Sequence, residues 1–261
     1  MFRKIIATSV SVALVVTSST AGAAGFALIE QNASGIGNAY AGQAASAQDA
    51  STIFFNPAGM TLLPGRQVVG AIHAILPEAG FNNSGTTTLA PLQTRLGSNG
   101  GDAGDLAFVP NLYLSWQLTP SVFVGIGVNA PFGLKTEYSP EWMGRFHGIT
   151  SEVKTININP SVAYKVNDMI SLGFGVNYQR INATLSNAVN YSAAAFGAGG
   201  GAALAAVGGA GVEGIANVTG DDNSWGYNLG AMFNLSPATR LGVSYRSAIK
   251  HTDRKSTRLN S

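Results

Sequence analysis

The chain has 261 residues, of which 11% are charged and 46% are hydrophobic, and it contains 33 glycines and no cysteine. The charged fraction is less than half of the roughly 25% that soluble domains carry, which argues against an ordinary cytosolic protein. Without cysteine, a disulfide framework, a cysteine-based zinc site and a thiol nucleophile are excluded. The formal net charge of +2 comes mainly from the two ends of the chain, so nucleic-acid binding is not predicted.

Residues 1–23 are typical of a secretory signal peptide. Arg3 and Lys4 precede an apolar-rich run over residues 5–16, and small residues lead to an A-x-A cleavage site at 21–23. The apolar run is too short to cross a bilayer as a helix, although an N-terminal membrane anchor is the alternative interpretation. The mature chain would begin at Ala24, and it would be exported.

The other end of the chain, residues 253–261, lacks any strand or helix pattern. We interpret this segment as a non-native tail, because it resembles a translated cloning or sequencing adaptor. Sequencing of the locus beyond codon 252 tests this interpretation, and a native stop codon after Ser261 would contradict it.

Period-two alternation of apolar and polar residues dominates the middle of the chain and predicts about seven strands. These strands cover residues 67–75, 111–118, 122–129, 155–166, 170–178, 225–235 and 240–246. No run after the signal peptide has 18 consecutive apolar residues, so a transmembrane helix is not predicted.

Two architectures fit this alternation, a soluble β-sandwich and a transmembrane β-barrel. The polar faces carry Asn, Ser, Thr and Gly with few charges, and Tyr and Trp lie near several strand ends. Short turns at 119–121, 167–169 and 236–239 alternate with long connections at 77–106, 133–150 and 187–223. This asymmetry favours the barrel. Seven strands would leave open edges in lipid, so we infer roughly the N-terminal half of a larger barrel.

The segment between the signal peptide and the first strand, residues 24–66, lacks sustained alternation and is rich in Ala, Gly, Ser and Asn. Small residues permit close packing in a confined space, and Pro57 holds Asn56 in an extended conformation. This composition predicts a compact plug inside the barrel. A loose exported linker is the alternative.

Several motifs occur in a characteristic order: Ala24-Gly25-Phe26, Ser34-Gly35-Ile36-Gly37, Asn56-Pro57-Ala58, Pro131-Phe132-Gly133, Gly144-Arg145-Phe146, Asn159-Pro160-Ser161 and Ser244-Tyr245-Arg246-Ser247. Over residues 24–252 the chain resembles the FadL-type outer-membrane transporters, which carry long-chain fatty acids or, in some members, aromatic hydrocarbons. The resemblance implies an all-β, transmembrane antiparallel barrel of fourteen strands, partly present at 67–252, with a hatch at 24–66 that plugs the lumen. It also implies a monomer in the bacterial outer membrane, surrounded by lipid and lipopolysaccharide, with no cofactor, metal or nucleic acid.

The same resemblance assigns roles to individual positions. Implied ligand contacts are Phe26, Leu28 and Ile29 in the mature N-terminus and Phe196, Leu204 and Val207 in an outer capture loop, and the hatch motif is Asn56, Pro57 and Ala58. A flexible Ala/Gly-rich loop without function is the alternative for the capture loop.

A lateral gate is implied at Asn129, Ala130, Pro131, Phe132 and Gly133. Pro131 removes a ladder donor and Gly133 weakens the strand, so the alternation itself breaks here. Ordinary strand termination before a loop is the competing interpretation.

A fatty-acid carboxylate inside the barrel would need a basic partner. The alternation directs Lys165, Arg240 and Arg246 to the lumen, and the alternative for each, which the residues alone favour, is a luminal charge satisfied by the protein. The direction of Arg180 is uncertain because the alternation slips there. Asn187 occupies the position where fatty-acid binders carry a basic contact, which keeps neutral aromatic hydrocarbons open as ligands.

Two other functional classes, an enzyme and a general porin, fit the sequence less well. An enzyme would need a nucleophile with a nearby base, but His73, His147 and His251 are scattered, and His147 with Ser151 is only a weak pair. A general porin would have an open, charged lumen, which the low charge content argues against.

Overall fold

The structure, a computed structural model, describes residues 27–252 and 256–260. The predicted signal peptide and Phe26 lie outside the described residues. The strands are β1 (Arg66–Ile75), β2 (Ala107–Gln117), β3 (Val122–Asn129), β4 (Gly133–Glu137), β5 (Thr150–Lys165), β6 (Ile170–Asn190), β7 (Glu213–Ser236), β8 (Thr239–Arg246) and β9 (Ser256–Asn260). The α-helices are Gln43–Ser46, Thr52–Phe55 and Tyr191–Ala206, and the 3-10 helices are Ile36–Asn38 and Pro57–Leu62.

Seven strands follow one another in a single antiparallel sheet in the order β1-β2-β3-β5-β6-β7-β8, and the sheet curls into half a barrel. Every neighbour in this order is also the next long strand in sequence, as the short turns require. β4 extends the path of β3 by pairing with the start of β5, and β9 pairs with β7. The sequence prediction of about seven alternating strands agrees with this topology.

The sheet exposes its apolar face and buries its polar face, which is the reverse of a soluble protein. On β2, Leu114 and Trp116 are exposed at 39% and 46%, whereas Tyr113 and Ser115 are buried at 1% and 3%. The same alternation follows β5, where Ile156 is exposed and Asn157 is fully buried. Exposing the apolar face costs free energy in water but not in hydrocarbon, so the exposed face fits a bilayer. We call the other, polar face the inner face.

Residues 27–63, here called the inner segment, pack against the inner face. Ile53 and Met60 of this segment join Tyr113, Phe123 and Ala163 of the sheet in one buried cluster. Glycines of the sheet make this contact close, because a Cβ at Gly242 would lie 1.9 Å from the Ala44 carbonyl oxygen. The backbone of the inner segment, and not only its side chains, therefore packs directly against the sheet.

The hairpin of β6 and β7 is longer than the sequence predicts. The ladder continues from the turn to Asn190 and Glu213, so the predicted connection at 187–223 is wrong at both ends and Asn187 lies within β6. The reason is that backbone hydrogen bonds sustain this part of the ladder, where polar and small residues obscure the alternation. About 9–11 residues suffice for a strand to cross a bilayer, so the hairpin extends beyond it.

The segment Ser256–Asn260 forms a strand although its sequence shows no alternation. β8 ends at Arg246, opposite Asn228 of β7, so the part of β7 that precedes Asn228 has no ladder with β8. Ser256–Asn260 pairs with residues 215–219 in that part of β7. An unpaired strand edge accepts almost any extended segment. The non-native origin of the tail stays a prediction. Within the described residues, no helix has the length and apolar character needed to span a membrane.

Candidate functional site

The wall of the half-barrel is interrupted between β3 and β4. Asn129 of β3 pairs with Asn157 of β5, and Gly133 of β4 pairs with Lys154 of β5. Between these paired positions there are three residues on the β3–β4 side but only two on β5. This one extra residue defines a β-bulge. Thr155 bridges the bulge, because its hydroxyl accepts from the Phe132 amide at 3.0 Å and its own amide donates to the Phe132 carbonyl at 3.1 Å.

On the side that faces β2, no backbone ladder joins β4 to its neighbour within the described residues. β2 pairs with β3 only from Leu112 to Gln117, so among the described residues the first part of β2 is hydrogen-bonded to β1 but not to β4. The interruption therefore lies where the resemblance implied a gate at Asn129, Ala130, Pro131, Phe132 and Gly133. Its opening stays a prediction.

The first described residues cover the bulge from the inner face. Ala27 bridges Phe132, and the Leu28 amide donates to the Pro131 carbonyl at 3.0 Å. Gln31 is fully buried and its Oε1 accepts from the Tyr113 hydroxyl and, at 2.8 Å, from Asn129 Nδ2. Leu28 is partly buried and Ile29 is half exposed. Both predicted contacts thus lie beside the interruption, and their role in ligand binding is untested.

Asn56, Pro57 and Ala58 are buried at the centre of the inner segment. The Asn56 side chain caps the helix Pro57–Leu62 by accepting from the Ala58 amide at 3.1 Å. Its amide nitrogen donates to the Ala44 carbonyl at 2.7 Å and to the Ala231 carbonyl of β7 at 3.1 Å. The motif therefore connects two parts of the inner segment to the wall.

Amide side chains form a continuous hydrogen-bonded row across the inner face. Asn157 donates to Asn129 at 3.0 Å and to Asn177 at 3.1 Å, and Asn177 donates to Asn228 at 3.1 Å. Arg246 joins the row by donating to Asn177 Oδ1 at 2.6 Å. The row is uncharged apart from this guanidinium.

The three predicted head-group contacts all engage protein partners. Arg246 also donates to the Phe54 carbonyl at 2.7 Å, and Arg240 donates to the carbonyls of Ala45 and Ser46 at 3.1 Å. Lys165 pairs with Asp168 at 2.7 Å. A ligand carboxylate at any of them would have to compete with these contacts. Arg180, whose direction the alternation leaves open, pairs with the exposed Asp221 at 3.4 Å.

A cavity of about 770 Å³ lies where the long loops meet the end of β6. Its apolar lining comes mainly from residues of two loops: Phe81, Leu89, Leu96, Trp142, Met143 and Phe146. Arg95, His147 and Asn187 add polar groups to the lining. This mixture of a large apolar wall and a few polar groups is typical of sites for small hydrophobic ligands.

Sequence reasoning missed this cavity. It treated 77–106 as a long connection and placed capture at Phe196, Leu204 and Val207, which are not among the lining residues. These three lie in or just after the helix Tyr191–Ala206, and Phe196 is 51% exposed. The available signal was the recurrence of large apolar residues in a loop of Gly, Ser and Thr, but only the fold brings the two loops together.

One buried arginine joins the elements around the cavity. Arg145 is 1% exposed and forms a bidentate salt bridge with Glu213. Its Nε donates to Glu213 Oε2 and its Nη2 donates to Glu213 Oε1, both at 2.7 Å. Its guanidinium also donates to the carbonyls of Leu96 at 2.9 Å, Trp142 at 3.2 Å and Arg95 at 3.2 Å. The hydrogen bonds from Arg145 hold the pKa of the Glu213 carboxyl below its ordinary value.

Comparison with known proteins identifies the family. The profile described as "Outer membrane protein transport protein (OMPP1/FadL/TodX)" matches residues 14–259. The chain belongs to this family. It is 31% identical over 255 residues to the long-chain fatty acid transport protein of Escherichia coli K12, covering 93% of this chain and 55% of that relative.

Solved structures agree with the family assignment. A FadL homologue of Pseudomonas aeruginosa matches with a TM-score of 0.66 and 25% identity, over 86% of this chain and 53% of that one. The toluene transporter of Ralstonia pickettii shares the fold, with a TM-score of 0.51 and 18% identity over 80% of this chain and 58% of that one. The chain spans between 38% and 55% of the length of the curated relatives compared.

Family membership confirms three predictions: the FadL-type resemblance, an antiparallel outer-membrane barrel present here in part, and a place in the outer membrane. The relative from Escherichia coli and the solved toluene transporter are named transport proteins, which agrees with the prediction that the chain is not an enzyme. The family transports hydrophobic compounds across the outer membrane.

Proposed function

We propose that this protein takes up long-chain fatty acids, and that the loop cavity is where they are first held. The observation that carries the proposal is the cavity itself, which combines aromatic and aliphatic walls with the polar groups of Arg95 and His147. A fatty acid has both parts, a long apolar chain and a carboxylate. Each buried CH₂ of the chain contributes about 0.8 kcal/mol to binding.

Sequence similarity supports the same ligand class. The Escherichia coli relative that is 31% identical over 255 aligned residues, which cover 93% of this chain, is named a long-chain fatty acid transport protein. The toluene transporter shares only 18% and informs the fold alone. The alternative, an aromatic hydrocarbon, is favoured by Asn187 in the cavity lining and by the edge-to-face contact of Phe81 and Trp142, with ring centroids 5.5 Å apart.

The proposed route leads from the cavity along the inner face to the bulge. The inner segment would act as the hatch, and movement of residues 27–31 away from the bulge would expose the interruption between β2 and β4. The ligand would then leave sideways into the membrane, so it would avoid a long aqueous path. The protein would act as a monomer in lipid and lipopolysaccharide, which light scattering of the purified protein in detergent can test.

Ligand competition tests the substrate class. The protein from the complete reading frame is loaded with a fluorescent fatty acid, and oleate or toluene is added at increasing concentration. Oleate should displace the probe at far lower concentration than toluene. Displacement by toluene alone would refute the fatty-acid proposal and support the alternative.

Uptake by cells tests the route. In a strain lacking its own transporter, replacing Pro131 with Val and Gly133 with Thr should reduce oleate uptake, because regular pairing would then close the bulge. Heat-modifiable migration on gels should show that the barrel still folds. Unchanged uptake by a folded variant would remove the gate from the mechanism.

A further inference from the structure

We propose that Arg145 and Glu213 are positioning residues that hold the loop cavity in its binding shape, so that breaking their ion pair opens the cavity without unfolding the barrel. The effect on ligand binding rests on the proposed function, whereas the effect on the loops does not.

The first argument is the number of chain segments that meet at Arg145. Its guanidinium reaches the carbonyls of Arg95 and Leu96 in the first long loop and that of Trp142 in the second. Arg95, Leu96 and Trp142 all line the cavity. Carbonyls of two separate loops are therefore fixed by a single side chain.

The second argument is that Arg145 is itself fixed to the sheet. Glu213, the first residue of β7, receives two hydrogen bonds of 2.7 Å from it. The Arg145 carbonyl accepts from the Ala188 amide of β6 at 2.7 Å, and Ala188 also lines the cavity. A planar guanidinium suits such a set of contacts because its donors point in fixed directions, which a lysine cannot reproduce.

The third argument is burial. The side chains of Arg145 and Glu213 are only 1% and 13% exposed, so the pair is largely shielded from water. Removing one partner of a buried pair leaves an uncompensated charge, which is strongly destabilising. Gly144 completes the arrangement, because a Cβ there would lie 2.3 Å from the Trp142 ring. The ring can thus cross the backbone next to Arg145, where its Nε1 donates to the Gly148 carbonyl at 2.8 Å.

The ion pair also predicts a response to acid. Of the charged groups in the described residues, Arg145 at 2.7 Å and Arg95 at 3.8 Å face the Glu213 carboxylate within ion-pair distance, and Arg95 is shared with the exposed Glu141. Because the pKa of Glu213 is lowered in the folded state, its stabilisation is fully present above about pH 4.3. It is lost as the pH falls through the lowered pKa.

Hydrogen exchange measured by mass spectrometry tests the proposal on the protein from the complete reading frame. Arg145→Met should raise exchange at least tenfold in peptides from 77–106 and 138–149, with the strands near the short turns unchanged. Lys154→Met is the matched control, since it removes one cation from an ion pair in which Lys154 is 68% exposed. Equal exchange in the two variants would overturn the proposal.

Two further variants separate positioning by the pair from a general structural defect. Adding Glu213→Gln to Arg145→Met should restore part of the protection, because it removes the unpaired buried carboxylate. Glu213→Gln alone should abolish the extra loop exchange, beyond the intrinsic pH dependence of exchange, that the wild type shows as the pH falls below about 4.3. Coupling through this pair would be refuted if the two substitutions had strictly additive effects on loop exchange and if Glu213→Gln showed the same pH dependence as the wild type.

Binding of the fluorescent fatty acid at pH 7 distinguishes the two proposals. A loss of affinity of tenfold or more in Arg145→Met, together with faster loop exchange, supports both. Faster exchange with unchanged affinity supports the positioning role and refutes the cavity as the ligand site. Unchanged exchange with reduced affinity refutes the positioning role alone.

Discussion

The contact between Gly230 of β7 and the Asn56 side chain offers a sharp test of how the inner segment is held. A Cβ at Gly230 would lie 2.0 Å from Asn56 Oδ1 and 3.0 Å from Pro57 Cδ. Neither neighbour can yield easily, because Asn56 is fully buried and its amide donates to Ala44 and Ala231. Gly230→Ala should therefore displace Asn56 from its partners.

The expected magnitude follows from these contacts. Overpacking of a buried site costs about 1–3 kcal/mol, and each lost hydrogen bond costs about 1 kcal/mol. We expect Gly230→Ala to lower the free energy of unfolding by about 3 kcal/mol. Equilibrium unfolding in urea of protein folded into phospholipid vesicles, followed by tryptophan fluorescence, measures this change.

Gly70 of β1 provides the matched control, since nothing lies within 4 Å of a Cβ built there. Gly70→Ala should leave the free energy of unfolding nearly unchanged. Asn56→Ala combined with Gly230→Ala should cost less than the sum of the single variants, because the clashing oxygen is gone. Equal effects at Gly230 and Gly70 would refute the close packing of the inner segment on β7.

Three other predictions concern the cavity, the amide row and the bulge. Trp142→Ala should weaken fatty-acid binding by about 10- to 100-fold, because roughly 1–3 kcal/mol of buried aromatic contact is lost. Fluorescence titration measures the dissociation constant. Trp225 is 66% exposed, so Trp225→Ala should leave the dissociation constant unchanged. Arg246→Met should lower the urea midpoint in vesicles more than Arg180→Met, whose ion pair is half exposed and contributes at most about 1 kcal/mol; equal midpoints would contradict the buried role of Arg246. Thr155→Val should speed hydrogen exchange in peptides covering the bulge and leave those covering the β6–β7 turn unchanged, and equal exchange at the bulge would show that the hydroxyl does not stabilise it.

The strand faces could be predicted because they depend only on neighbouring residues. Alternation placed Leu114 outward and Tyr113 inward, and side chains of a strand must point to opposite faces. The turn at Asn167 was equally local, since its side chain accepts from the amides of Met169 and Ile170 at 2.8 Å.

The cavity and its ion pair could not be predicted in the same way. Arg145 and Glu213 are 68 residues apart, and nothing in the local pattern relates them. The motif around Arg145 supported the family resemblance without revealing a role for the side chain. The glycines of the inner face were visible in the alternation, but their purpose depends on which backbone approaches them, as Ala44 does at Gly242.

The β6–β7 hairpin is long enough to determine how far the proposed ligand entrance would stand from the bilayer. β7 runs for 24 residues, and crossing the bilayer uses about 9–11 of them. At about 3.3 Å per residue, the remainder amounts to on the order of 40 Å along the strand. If the protein functions as proposed, this extension would place its entrance beyond the bilayer surface, within the layer of lipopolysaccharide sugars. Trimming equal numbers of residues from both arms would preserve the pairing and shorten that reach.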